Sequence, residues 1–236
     1  MLMNEIEERY DVKTACAWIL GHARNSGIPA LSESLRNKTA DMCSEDETRL
    51  ILQAGIDANL KLYPFKTGTQ VLQRTKRTLG FLRSVSFETM LDVGSGRGVF
   101  LVPFMKEFPW VQVTSLDLLE KRITFLNELS DGGFRQMHAE QKNICDQPYP
   151  ENSFDVVTML EVLEHIPDVQ KAITSAVYMA KKYIVVTVPS KPDNNPEHIH
   201  LLTKERLTEM FENTGCTRLH FDGVEGHLFM VASIEK

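Results

Sequence analysis

The sequence predicts an α/β fold preceded by a helical segment. Three observations carry that expectation. Strand-like and helix-like segments alternate from Glu88 to the C-terminus, apolar residues before Ser84 recur only at helical spacing, and a glycine-rich turn, GSGRG, joins the first strand to the next helix. Repeated βα units form mainly parallel sheets covered on both faces, with ligands held at the carboxyl ends of the strands.

The elements follow in chain order. ACAWILGHAR reads as a helix closed by the NSGIP turn. SEDETRLILQAGIDANLKLY is amphipathic, and Ser44 with Glu47 three residues on forms a capping-box signature. TGTQVLQRTKRTLGFLRSV is a third helix with a basic polar face, read as a solvated surface. Then TMLDVGS, VQVTSLD, SFDVVTML and YIVVTVPS read as strands, separated by the helices GVFLVPFMKEF, LEKRITFLNELS and DVQKAITSAVYMAKK. TKERLTEMFENTG is a helix with Gly215 in a C-cap position, and TRLHFDG and HLFMVASIE are two strands joined by a short turn. The expected division is a helical cap over residues 1–85 and a ligand-binding domain over 86–236.

Composition narrows the class. The chain of 236 residues has a net charge of -6 and is 42% hydrophobic and 25% charged, as in ordinary globular proteins. An acidic balance disfavours nucleic acid, whose binders carry a basic face. Cys16, Cys43, Cys145 and Cys216 are dispersed without a CxxC pair, which disfavours a zinc ribbon or a disulfide framework. The polar start MLMNEIEERYDVK does not resemble a secretory signal, and no apolar run reaches the roughly 18 residues of a membrane span. A cytoplasmic protein is expected. Oligomeric state is left open.

The glycine turn is a weak signal alone, since it can serve only as a tight link between strand and helix. Its setting sharpens it. The spacing is GxGxG at Gly94, Gly96 and Gly98, shorter than the dinucleotide fingerprint GxGxxG. Asp92 stands two residues before the first glycine, where a carboxylate suits a cationic ligand better than a pyrophosphate. The next strand ends in Asp117, placed to accept both hydroxyls of a ribose. The set suits an adenosine ligand that carries a positive charge and no phosphate.

LDVGSGRGVF, VTSLDLLEKRI, PYPENSFDVVTMLEVLEHIPD and PEHIHLLTKERLTEMFENTGC occur in that order. They resemble successive motifs of the class I S-adenosylmethionine-dependent methyltransferases, most of all the broad group that includes the ubiquinone-biosynthesis methyltransferases. The resemblance runs from about residue 88 to the C-terminus. It implies a Rossmann-like, seven-stranded, mostly parallel sheet whose last strand is antiparallel. It implies S-adenosyl-L-methionine as cofactor and S-adenosyl-L-homocysteine as product. Gly94, Ser95 and Gly96 would run along the methionine part, with Asp92 near its amino group. Asp117 would hold the ribose and Leu118 would pack on the adenine. Asn143 and Ile144 stand where the family often has an acid and an apolar residue beside the adenine amino group; the Asn143 carbonyl can still accept that bond. The backbone of Glu161 would lie near the methionine end.

Glu161, Glu164 and His165 share one face if a helix has begun there, and His198 and His200 follow before the last helix. RNA 3'-end ribose 2'-O-methyltransferases bind a metal with such residues, and Glu161, Glu164, His165 and His198 match that pattern. Yet Ser190 stands where those enzymes place an asparagine, and many metal-free members carry similar stretches. No metal ligand is therefore assigned. His165, His198 and Glu161 are the candidate catalytic residues, the histidines because their near-neutral pKa suits a base. The expected function is methyl transfer to a small-molecule acceptor by direct displacement. The alternatives are a metal-dependent RNA ribose methyltransferase and a protein that binds the cofactor without turnover.

Overall fold

The computed structural model describes residues 8–67 and 72–234. Among these residues are eight α-helices: α1 Val12–Ser26, α2 Glu33–Arg36, α3 Glu45–Asp57, α4 Gln73–Leu82, α5 Leu101–Glu107, α6 Glu120–Gly132, α7 Val169–Met179 and α8 Lys204–Glu212. The seven strands are β1 Thr89–Val93, β2 Gln112–Asp117, β3 Met137–Gln141, β4 Phe154–Leu160, β5 Ala180–Pro189, β6 Arg218–Val224 and β7 His227–Ser233. They form one sheet in the order β3-β2-β1-β4-β5-β7-β6. β1 runs parallel to β2 and β4, and β4 parallel to β5, while β7 is antiparallel to both β5 and β6. This is the expected mostly parallel sheet with an antiparallel last strand. Chain order reverses between β1 and β4, which opens the crevice where such sheets bind ligands.

Two compact units divide the chain. One holds the described residues of Met1–Leu72, Gly96–Pro109 and Leu119–Ala139. The other holds Gln73–Ser95, Trp110–Leu118 and the described residues of Glu140–Lys236.

In the first unit α1 lies against α6 at very short range. A Cβ on Gly132 would sit 1.6 Å from the Ala17 carbonyl oxygen, and one on Gly21 would sit 1.8 Å from that of Glu128. Both helices therefore need a residue without a side chain at the crossing. Glu128 is buried there, accepting from Trp18 Nε1 at 2.9 Å and lying 2.8 Å from His22 Nδ1. A buried carboxylate requires such partners. Trp18 also packs on Phe65 and Phe125, with ring centroids 5.5 and 5.3 Å away. The capping box on α3 forms as expected, Ser44 and Glu47 each satisfying the other's backbone N–H.

In the second unit β4 is buried along all but its last residue and β5 is buried continuously from Ile184 to Val188, as strands covered on both faces are. Leu91, Val157, Met159, Ile184 and Val186 form one cluster with Ala172, Ile173 and Met179 of α7 and Leu207 and Phe211 of α8. Each large aliphatic side chain buried there contributes about 1.5–3 kcal/mol. The basic helix α4 borders β6, where Arg77 pairs with Asp222 at 2.7 Å and lies over the Phe229 ring. Lys76 of the same helix is exposed, and the side chains of the Arg77–Asp222 pair are 40% and 45% exposed.

Several elements differ from expectation. The helix expected over 44–63 runs only Glu45–Asp57, and Asn59 beyond it has φ +58°. The helix expected over 67–85 runs only Gln73–Leu82, and residues 68–71 of that reading lie outside the described residues. Ala180–Lys182, read as the end of a helix, instead begin β5, because Ala180 pairs with Phe154 across an irregular register. β3 was not read at all. Its sequence MHAEQ buries only Met137 and Ala139, and a polar edge strand has little apolar signature.

Candidate active site

The site begins where β1 ends. Gly94 N donates to Leu116 O of β2 at 2.6 Å, which continues the β1–β2 pairing to the first residue of the turn. Gly94, Gly96 and Gly98 have φ of +69°, +60° and +74°. Only glycine adopts these angles without strain. A Cβ on Gly94 would also stand 2.6 Å from Val162 Cγ2, so space as well as conformation demands glycine. Ser95 Oγ receives a 2.6 Å hydrogen bond from Ser115 Oγ and itself donates to the Asp92 carbonyl.

Asp92 and Asp117 occupy the C-terminal parts of adjacent strands, and both are buried. Asp92 Oδ1 accepts from Thr158 Oγ1 of β4 at 2.5 Å. Burial pushes the Asp92 carboxyl up to about 6; hydrogen bonds from Ser95 and Thr158 oppose this and the charge of Asp117 adds to it. A nearby cation would relieve that cost. Leu118 follows Asp117 directly and is 61% exposed. An exposed apolar side chain beside a buried carboxylate fits an adenosine, with the ring on one and the ribose hydroxyls on the other. Gln141 Nε2 holds this point by donating to Leu118 O at 2.9 Å.

Asn143 caps the single turn Ile144–Asp146, its Oδ1 accepting from Cys145 N at 2.9 Å. One lone pair of the carbonyl expected to meet the adenine amino group is thus engaged by its own loop. The Ile144 side chain is 3% exposed and belongs to the apolar core.

The acidic and histidine residues after β4 do not share a helix face. Glu161 has φ +58°, a left-handed conformation that a side chain rarely adopts and that gathers at functional sites. Only one turn of 3-10 helix, Leu163–His165, follows. Glu161 Oε2 lies 2.9 Å from His227 Nε2 on β7, and its buried Oε1 has no hydrogen-bond partner. His227 Nδ1 faces the Glu225 carbonyl at 2.9 Å.

Glu164, His165 and His198 come together instead. One potential donor atom from each lies within 4.8 Å of the other two. Glu164 is fully buried and neither carboxylate oxygen has a hydrogen-bond partner. Burial, followed by the nearby charge of Glu161, pushes its carboxyl up to about 8. Its backbone carbonyl accepts from Ile199 N at 2.9 Å and His200 N at 3.3 Å, which ties the two loops together. His165 Nδ1 donates to Glu197 O at 2.9 Å, and His198 Nδ1 lies 2.8 Å from Asp193 Oδ2. The two rings meet edge to face with centroids 4.8 Å apart. His200 turns elsewhere, toward the Pro167 carbonyl. Sequence reasoning missed His227, Asp193 and Thr158. Asp193 was discernible as an acid five residues before His198; the other two are set by strand register.

A mostly parallel sheet, a glycine turn at its crevice and a buried acid closing the second strand define a Rossmann-like adenosine-binding domain. Over residues 66–220 the chain matches a family model described as a methyltransferase domain, and it belongs to that family, the class I S-adenosylmethionine-dependent methyltransferases. The cofactor of this class is S-adenosyl-L-methionine, and the Asp92–Gly94–Asp117–Leu118 arrangement fits it. Among similar proteins, a ribosomal RNA small subunit methyltransferase G of Bacillus pumilus is 38% identical over 74 residues, 30% of this chain and 31% of that protein. A ubiquinone biosynthesis O-methyltransferase of Bordetella parapertussis is 34% identical over 103 residues, 42% of this chain and 40% of that protein. The chain thus spans well under half the length of these curated relatives. A methyltransferase structure from Aquifex aeolicus shares the fold with a TM-score of 0.56 at 18% identity, covering 70% of this chain and 92% of that one. Among the described residues no helix is long and apolar enough to cross a membrane.

Proposed function

We propose that this protein transfers the methyl group of S-adenosylmethionine to a small-molecule acceptor. The observation that carries this reading is the pair of buried acids at the ends of β1 and β2, with a glycine turn between them and Leu118 exposed beside them. Bound cofactor supplies an electrophilic methyl on a sulfonium and leaves as S-adenosylhomocysteine. The chain's own residues bind and orient. Asp92 compensates the amino group, Gly94, Ser95 and Gly96 border the methionine part, Asp117 takes the ribose, and Asn143 and Ile144 frame the adenine end. Holding nucleophile and methyl in line is the main source of rate. His165, His198 and Glu161 act on the acceptor side, where a protonated nucleophile must lose its proton. Residues 86–236 form the methyltransferase domain and residues 1–85 an added helical segment that bears on acceptor choice. Four free thiols support a reducing cytoplasm.

The test is calorimetric titration with S-adenosylhomocysteine, then methyl transfer from labelled cofactor to a panel of phenols, alcohols, amines and thiols. Binding with turnover of at least one of them is expected. The ribosomal RNA methyltransferases among the relatives favour a second reading, an RNA acceptor, against which the net charge of -6 weighs. Labelling of RNA but of no small molecule would establish it. Binding with no acceptor of either kind would mark a cofactor-binding protein without turnover.

A further inference from the structure

We propose that Glu164, His165 and His198 form a binding site for one divalent transition-metal ion. The site is built from two loops, one after β4 and one after β5, joined through the Glu164 carbonyl. Its donors converge within 4.8 Å.

Two observations beyond proximity point to a cation. First, the Glu164 carboxylate is fully buried and neither oxygen is hydrogen-bonded. Buried carboxylates are otherwise paired or coordinate metals. Second, both imidazoles are set in a ligating tautomer. A carbonyl and a carboxylate can only accept, so the Nδ1 of His165 and of His198 each carry the proton toward Glu197 O and Asp193 Oδ2. The lone pair of each neutral ring is then on Nε2. A ring nitrogen held by a carbonyl or carboxylate while the other binds metal is the usual support of a metal-ligating histidine.

The donor set decides the ion. Two imidazoles and one carboxylate suit zinc, manganese or iron, and do not suit magnesium or calcium, which prefer oxygen ligands. Glu161 is not among the converging donors; its Oε2 lies 2.9 Å from His227 Nε2 instead. Three protein ligands leave at least one position open. A cleft of about 120 Å³, bordered by Pro189, Asp193, His198 and His200, adjoins it. On the methyltransferase reading, the open position would take the acceptor's oxygen and favour its deprotonated form; metal binding itself does not depend on that reading.

The experiment uses the full chain, stripped with EDTA and dialysed. Zn2+ is titrated by calorimetry, and Co2+ by visible absorption, which reports nitrogen and oxygen ligation directly in the unaltered protein. One Zn2+ per chain is expected, together with a cobalt d–d band that Zn2+ displaces. Glu164→Ala, His165→Ala and His198→Ala should abolish the band, and Asp193→Asn should weaken Zn2+ about 10-fold. His220→Ala, on exposed β6, should leave stoichiometry unchanged. Circular dichroism checks that each variant is folded. Failure of the wild-type protein to bind Zn2+ or Co2+, or equal binding by folded His165→Ala and His198→Ala, would overturn the proposal. S-adenosylhomocysteine titrated in EDTA keeps the two readings apart: binding there upholds the methyltransferase reading even if no metal binds.

Discussion

Replacing Asp92 with Asn should move stability and cofactor binding in opposite directions. The carboxyl is 3% exposed, and its pKa is raised from 3.8 to about 6. A rise of about 2 units corresponds to about 3 kcal/mol. The sign follows from proton counting. Between about pH 4 and 6 the native state keeps a proton that the unfolded chain has released, so stability falls as pH rises through that window. The neutral form's advantage is fully present below 3.8 and lost above about 6. Asn at this position never ionises, and its carbonyl can still accept the Thr158 hydroxyl. Its amide N–H2 needs a new partner, which costs about 1 kcal/mol. The net expectation is a variant about 2 kcal/mol more stable than wild type at pH 8 and about 1 kcal/mol less stable below pH 4, where the wild-type carboxyl is neutral too. Urea denaturation across pH 4–8 measures it. On the proposed placement of the cofactor the same substitution removes the charge opposite its amino group, so calorimetry at pH 8 should show S-adenosylhomocysteine bound at least about 10-fold more weakly, as for a lost charged hydrogen bond. A variant less stable than wild type at pH 8, or a gain independent of pH, would refute the idea that an ionised, strained carboxylate is kept for the ligand.

Other substitutions test other parts of the molecule. Asp117→Ala should weaken S-adenosylhomocysteine at least about 10-fold by calorimetry, since on the proposed placement it removes a charged acceptor from the ribose hydroxyls; unchanged affinity would remove it from the site. Gly94→Ala meets both a φ of +69° and the Val162 side chain, so it should cost about 2–3 kcal/mol in denaturant unfolding. Adding Val162→Ala should recover only the steric part, leaving about 1 kcal/mol of backbone strain. Gly132→Ala cannot fit against the Ala17 carbonyl without moving α1 from α6. It should lower stability by about 3 kcal/mol or more, read as a drop in thermal midpoint; a wild-type midpoint would mean the crossing is looser than described.

Much of this protein is readable locally. The capping box of Ser44 and Glu47 forms because its partners are three residues apart, and such geometry survives any tertiary context. The GxGxG turn was legible for the same reason, since positive φ at Gly94, Gly96 and Gly98 is a backbone property. β1, β2, β4 and β5 announce themselves by apolar runs bounded by turns, and the positions of Asp92 and Asp117 at the ends of β1 and β2 follow from those strands.

The grouping of the acids and histidines after β4 could not be read locally. Helical spacing grouped Glu161 with Glu164 and His165, but the left-handed turn at Glu161 sends its carboxylate to His227, 66 positions away and reachable only through the register of β7 on β5. The loop that carries Asp193 and His198 is tied to the Glu164 carbonyl by Ile199 N and His200 N, about 35 positions on in the chain, which no local spacing announces. The edge strand β3 and the helix-like start of β5 escaped for a related reason: pairing with a neighbour, not their own residues, makes them strands. Sequence alone carried the expectation of S-adenosylmethionine as cofactor, because the motifs that resemble the family are each contiguous in the chain. Tertiary structure alone decided which acids and histidines meet, because side chains far apart in the chain are brought together by sheet register and loop closure.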